Sequence, residues 1–323
     1  AAMDTVSEAP LAIAMAREGG MAVIHKNLSI AGQAEHVRRV KSSDPRFATD
    51  VVSVTPSTPA LEAVDTMRQI GAPELPVVAN GKLVGVLTRR SLLLHGADCP
   101  VSERMGEVAV TLGADASVSD ARNVFNEHGF ERLFVVDRDG GLCGVMSRAH
   151  LELHERYPKA LRDPDGRLMT AAAVGPSADC DERIAALLEA GADSIVIDTA
   201  HGHSRNVLEA VARTRNLYPD LSIIAGNIAT GEAVIALAEA GANVVKVGIG
   251  PGSICTTRIV SGVGVPQISA IFDCVAQAHK RGVGIIADGG LKHSGDMVKA
   301  LAAGADAVMA GSLLAGTDEA PGD

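Results

Sequence analysis

One turn is written three times into the second half of the chain. Glu189-Ala190-Gly191-Ala192-Asp193, Glu239-Ala240-Gly241-Ala242-Asn243 and Ala302-Ala303-Gly304-Ala305-Asp306 each follow a stretch of helical periodicity and precede a short apolar run. A glycine just past a helix takes the left-handed conformation that ends it, so each copy reads as a helix end feeding a strand. Apolar runs fall at 168–174, 194–198, 222–225, 244–247, 284–287 and 307–309. Helical stretches lie between them, at about 179–190, 204–217, 232–240, 267–281 and 295–303. Strictly alternating strands and helices build a parallel sheet covered by helices. Composition fits that plan: 47 % of residues are hydrophobic but only 2 % are aromatic, so Val, Ile, Leu and Ala must fill the core.

The N-terminal residues carry the same pattern. Residues 1–3 read as the tail of a strand and 4–8 as a loop. A helix follows over 10–18 with Pro10 early in its first turn, then Gly19-Gly20, a strand over 21–25 and a helix over 30–41. The count reaches eight strands, which predicts an α/β fold of the (β/α)8 barrel type. An open doubly wound sheet is the other option. The count disfavours it, as does the lack of a Gly-x-Gly-x-x-Gly strand-to-helix turn.

Between these parts the pattern changes, at Ser42-Ser43-Asp44-Pro45, and an internal repeat begins. Val54-Thr55-Pro56 matches Val110-Thr111-Leu112. Leu75-Pro76-Val77-Val78 matches Leu133-Phe134-Val135-Val136, and Gly85-Val86-Leu87-Thr88-Arg89 matches Gly144-Val145-Met146-Ser147-Arg148. Each copy has a helix (61–70; 118–128) and two short strands joined at Asn80-Gly81 or Asp139-Gly140, both hairpin signals. The expected division is 1–44 and 158–323 for the barrel and 45–157 for the insertion, its copies at about 50–98 and 105–157.

A barrel presents its chemistry at the C-terminal ends of its strands. The polar residues there are Met3-Asp4, His25-Lys26-Asn27, Asp198-Thr199-Ala200-His201, Gly226-Asn227, Asp288-Gly289-Gly290 and Ala310-Gly311-Ser312. The last two groups follow strands seven and eight, where glycine amides suit a phosphate. Asp288 and Asp198 fit a ribose diol or a loop cap equally well. His201 and His203 have no evident third ligand for a metal. Arg258 fits an anion or a surface pair. After strand six the chain runs Gly248-Ile249-Gly250-Pro251-Gly252-Ser253-Ile254-Cys255-Thr256-Thr257-Arg258, then Gly262-Val263-Gly264-Val265-Pro266-Gln267. Glycines bring backbone close to a ligand. A cysteine at such a tip, beside hydroxyls and a cation, suits a nucleophile.

This loop resembles the active-site loop of the family of IMP dehydrogenases and GMP reductases. The repeat resembles a tandem pair of CBS domains, a module that often binds adenine nucleotides, inserted as in IMP dehydrogenase. Neither copy keeps that module's ribose-binding aspartate: the first reads Thr88-Arg89-Arg90-Ser91 and the second Ser147-Arg148-Ala149-His150. A nucleotide-binding role and a packing role for the pair are both open, as is guanine nucleotide in place of adenine.

The resemblance implies NAD-dependent oxidation of IMP to XMP, a step of guanine nucleotide biosynthesis, with NADPH-dependent GMP reduction as the alternative. By it Cys255 attacks the purine and Thr257 assists. Ser253, Asp288, Gly289, Gly290, Gly311, Ser312 and Met3 bind IMP. Asp198, Asn227, Gly248, Ile249 and Gly250 face NAD, and the carbonyls of Gly250, Gly252 and Cys255 ligate K+. It also implies a homotetramer. The family's mobile flap, whose arginine and tyrosine activate water, follows strand eight. Both ends of the sequence look cut, so the expectation is IMP binding and thioimidate formation without turnover.

Other classes are disfavoured. A net charge of −10 without a basic stripe argues against nucleic acid. Five scattered cysteines, with no Cys-x-x-Cys, point to a reducing cytoplasm. No apolar run reaches the length of a membrane span.

Overall fold

The computed structural model describes residues 1–95 and 98–322. Two compact units emerge, one from residues 1–44 with 159–323 and one from residues 45–158.

The first unit is built on a seven-stranded parallel sheet in the order Val23–Ile24, Ala171–Val174, Ser194–Asp198, Ser222–Ile228, Val244–Val247, Gly284–Asp288 and Ala307–Met309. Spatial order equals chain order, as successive right-handed strand–helix–strand crossovers require. Side chains alternate along each strand. Ala172, Val174, Ile195, Ile197, Val245 and Ile285 face outward, under helices such as Cys180–Glu189 and Gln267–Ala278. Ala171, Ala173, Val196, Ile224 and Ile286 face inward. The sheet curls so far that Val23 and Met309, from its two edge strands, join the same inner cluster.

The triple turn has a second function beyond ending helices. Gly191, Gly241 and Gly304 take φ of +97°, +106° and +104°. The polar residue two positions on then accepts a backbone amide from the start of the preceding strand: Asp193 from Thr170 at 2.8 Å, Asn243 from Ile223 at 2.9 Å and Asp306 from Ile285 at 2.7 Å. Each turn thereby staples two neighbouring strands at their N-terminal ends.

The expected first strand is absent as a ladder. Within residues 1–3 the Ala1 carbonyl accepts the Met3 amide, and the Met3 carbonyl is taken by the amides of Val6 and Ser7. One strand-like tie remains, from the Ala1 nitrogen to the Ala310 carbonyl at 3.0 Å.

The second unit contains the repeat as two similar halves. In the first, the helix Ala60–Gln69 accompanies antiparallel strands Glu74–Ala79 and Lys82–Thr88. In the second, Val118–His128 accompanies Arg132–Val136 and Leu142–Ser147. Both strand pairs carry a register shift at the same place, Val77/Val78 and Val135/Val136. Asn80 and Gly81 both have positive φ and form the tight turn expected of them. The second turn is longer than its Asp-Gly suggested. Asp137 Oδ1 accepts the amides of Asp139 and Gly141, and Gly140 alone of these residues turns left-handed.

Candidate active site

The cysteine loop leaves the Val244–Val247 strand and is tied back at several points. Gly248 donates its amide to the Ile228 carbonyl at 2.8 Å, and Gln267 Nε2 donates to the Val247 carbonyl at 2.8 Å and the Asp288 carbonyl at 3.3 Å. Gly248 must lack a side chain, because a Cβ there would collide with the Asp288 carbonyl oxygen. Arg258 spans the loop and donates to the Val265 carbonyl at 2.7 Å. It therefore serves the loop's own shape, while its exposed guanidinium leaves both readings from the sequence, an anion or a surface pair, open.

Cys255 is half-buried at the loop tip. Its amide donates to the Gly252 carbonyl at 3.1 Å, and its Sγ lies 3.3 Å from Thr257 Oγ1. The Thr257 hydroxyl, followed by the Thr257 amide, holds the thiol below its ordinary range, and the Arg258 guanidinium adds to the effect. The other thiols differ. Cys274 is buried under the sheet and pushed up to about 12 by desolvation, and Cys180 is raised by the same cause. All five cysteines are unpaired. Cys255 is thus the accessible sulfur whose surroundings favour the thiolate.

Beneath it is a charged cluster. Lys246 sits on the inward row of its strand, 4 % exposed, with Nζ 2.7 Å from Asp198 Oδ1 and 2.8 Å from Asp288 Oδ2. Asn227 Nδ2 donates to the same Asp288 oxygen at 2.9 Å and to the Gly248 carbonyl at 2.9 Å. Burial acts to lower the Lys246 ammonium, but the two carboxylates outweigh it and hold it above its ordinary value. Burial likewise acts to raise Asp288, yet Lys246 and Asn227 keep it below the usual carboxylate range. Lys26 Nζ, from just past the Val23–Ile24 strand, donates to the Asp198 carbonyl at 2.6 Å across the end of the intervening Ala171–Val174 strand.

Two adjoining cavities open over this cluster. The larger, about 270 Å³, has Cys255 and Thr257 on one wall and Asp198, Asn227 and the Gly248-Ile249-Gly250 backbone on another. The smaller, about 70 Å³, is lined by Gly252, Ser253, Gly289, Gly290, Gly311 and Ser312. Asp288 and Met3 line both. Every residue to which the family resemblance gave a catalytic, substrate, cofactor or cation role therefore borders one of these two spaces, whereas Asp4, His25, Lys26, Asn27, His201, His203 and Arg258 do not. His201 and His203 do not form a metal centre: among the described residues no group of three His, Cys, Asp or Glu side chains is placed to hold an ion.

A sequence model described as IMP dehydrogenase / GMP reductase domain matches residues 1–323. The chain belongs to the IMP dehydrogenase / GMP reductase family. Among relatives named inosine-5′-monophosphate dehydrogenase, it is 52 % identical over 326 residues to that of Halalkalibacterium halodurans, covering 100 % of this chain and 67 % of the relative. The Streptococcus pyogenes relative is 51 % identical over 328 residues, with 100 % and 66 % covered. That of Aquifex aeolicus is 49 % identical over 328 residues, with 100 % and 67 % covered. The chain thus spans about two thirds of the length of these relatives. Among solved structures, a variant GMP reductase from Trypanosoma brucei in complex with guanosine 5′-monophosphate superposes with a TM-score of 0.78 at 39 % identity, over 100 % of this chain and 70 % of that one. GMP reductase from the same organism with guanosine 5′-triphosphate gives 0.77 at 39 % identity, over 99 % and 78 %.

Sequence reasoning missed Lys246 in this family site. The signal was a lysine inside the run Val244-Val245-Lys246-Val247, which reads as an uninterrupted strand until the inward parity of position 246 is known.

Proposed function

We propose that this chain carries the nucleotide-binding and thiol-bearing part of an NAD-dependent IMP dehydrogenase. The observation that carries this reading is the accessible, acidified Cys255 thiol on the wall of a cavity whose floor is the Lys246–Asp198–Asp288 cluster. Beside it is a pocket walled by glycine backbone, which suits phosphate. Ser253, Gly289, Gly290, Gly311 and Ser312 hold the IMP phosphate there, and Asp288 accepts hydrogen bonds from the ribose diol. Met3 packs at the junction of the two spaces. The purine then lies over Cys255, whose thiolate adds to C2.

NAD, when bound, takes the hydride that C2 releases. The residues left for it are Asp198, half-exposed at the cavity, Asn227 and the side-chain-poor Gly248-Ile249-Gly250 wall. Asn227 Oδ1 fits such a role as a buried acceptor without a partner among the described residues. Loss of hydride leaves the purine joined to Cys255 as a thioimidate, and water then cleaves the C2–sulfur bond to give XMP and the free thiol. Thr257 favours the ionised form of the sulfur. The carbonyls of Gly250, Gly252 and Cys255 suit a hard monovalent cation such as K+, since all are neutral oxygens. The Gly252 carbonyl keeps one lone pair beyond the bond from Cys255.

The remaining parts of the reading are a closed eight-stranded barrel with residues 1–3 in the first position, a CBS pair over the second unit, a homotetramer and a cytoplasmic setting. A cavity of about 420 Å³ in the second unit, bordered by Glu74, Arg132, Phe134 and His150, is where an adenine or guanine nucleotide would sit. NADPH-dependent GMP reduction is the second reading, supported by the Trypanosoma brucei likeness. The higher identity to proteins named as dehydrogenases favours the first.

Mixing the chain with IMP and NAD tests this. The expected result is reduced cofactor, a covalent nucleotide adduct on Cys255 by mass spectrometry, and loss of both in Cys255→Ala. Cofactor oxidation with GMP and NADPH would favour the reductase. No adduct, together with no IMP protection of Cys255 against alkylation, would defeat both.

A further inference from the structure

The inward rows of the sheet are apolar at Val196, Ile224 and Ile286, and Lys246 stands among them in the same row as Val244. At 4 % exposure, on the floor of the cavity, its ammonium has little room for water and depends on counter-charges. These come from two different strand ends, Asp198 at 2.7 Å and Asp288 at 2.8 Å, and the Met309 sulfur at 3.9 Å packs beside them. The two carboxylates therefore flank one ammonium, a few ångströms from each other. The other ionisable groups facing the cluster are Cys255 across the cavity, Lys26 on the Asp198 carbonyl, and the Ala1 amino group on the Ala310 carbonyl.

We propose that Lys246 is a positioning residue that fixes the spacing and charge of Asp198 and Asp288 together, and so couples the cofactor side of the cavity to the substrate side. The division into sides rests on the function proposed above. The coupling follows from elementary electrostatics. Without the ammonium, two carboxylates only 24 % and 19 % exposed face each other within a few ångströms, and like charges at that range do not both stay ionised. One takes a proton. Asp288 in its protonated form no longer accepts two hydrogen bonds from a ribose diol.

The test is equilibrium binding of IMP at pH 7 and pH 9 to the parent, Lys246→Met, Asp198→Asn, the double variant and Lys246→Arg. Lys246→Met should lose about tenfold in IMP affinity at pH 7, the effect of one carboxyl coming to titrate about a unit above the assay pH, and regain it at pH 9. Asp198→Asn should tighten binding in the Lys246→Met background, because there it removes the repelling charge, and should not tighten it in the parent, where Lys246 already neutralises that charge. Lys246→Arg should keep most of the affinity. A lysine that merely fills space predicts none of this sign reversal. Equal affinity in Lys246→Met and parent, or the same effect of Asp198→Asn in both backgrounds, overturns the assignment. Should Lys246→Met fail to fold, folding of the double variant supports the assignment and its failure overturns it in favour of a packing role. A parent that binds no IMP counts against the site reading itself and leaves Lys246 to the folding comparison.

Discussion

The lowered pKa of the Cys255 thiol is due first to one neighbour, the Thr257 hydroxyl 3.3 Å away. A hydroxyl that donates to a thiolate stabilises the charged form and lowers the pKa. Thr257→Val removes that donor at almost constant volume, so the thiol pKa rises and less thiolate is present at neutral pH. Alkylation of Cys255 by iodoacetamide should slow about threefold to tenfold at pH 7, and the midpoint of its pH profile should move upward, with little change well above it. An unchanged profile would show that the loop backbone, not the hydroxyl, sets the thiol. The difference between Cys255 and Lys246 marks how far single residues could be read. Cys255 was legible because its partners are local, within a few positions of the loop. Lys246 was not, because its partners lie on strand ends 48 and 42 positions away and meet it only once the sheet curls.

The repeated turn shows what short segments reveal and what they conceal. Its glycine announced a helix end from spacing alone, and all three copies do turn left-handed there. The stapling by Asp193, Asn243 and Asp306 was not legible, since the amide each accepts belongs to a strand some twenty residues earlier. These staples differ in cost. Asp306→Ala strands the Ile285 amide and should destabilise by about 1–3 kcal/mol. Asp193 also meets Lys41 at 2.8 Å, an ammonium 6 % exposed that keeps only Asp163, at 2.9 Å, once Asp193 is gone. Asp193→Ala should therefore cost more, about 3–5 kcal/mol. Urea unfolding of both variants checks the order, and a reversed order would show that the Lys41 pair adds nothing. The first strand failed for a local reason: residues 1–3 spend the Met3 carbonyl on a turn to Val6 and Ser7 instead of on a neighbouring strand.

The alternation of strand and helix exposed the plan of the first unit, and the internal repeat exposed the two halves of the second. What periodicity could not supply was how the chain leaves the first unit and comes back. The structure answers with a buried knot of charge. Asp44, fully enclosed, receives Arg17 at 2.9 and 2.7 Å on its carboxylate and Arg162 at 2.9 Å on its carbonyl, while Leu161 donates its amide to the Ala16 carbonyl at 2.7 Å. Departing and returning backbone are thus clasped side by side within the first unit. A chain joined from residue 44 to residue 159 by a short glycine-serine linker should fold, melt cooperatively and retain IMP protection of Cys255 against alkylation. Loss of cooperative melting in that chain would mean that the first unit needs the second to fold.

That clasp at Asp44 works as a socket. Residues 45–158 add no strand to the seven-stranded sheet, so a segment of different length can stand between those two contacts without opening a ladder of the unit that carries Cys255.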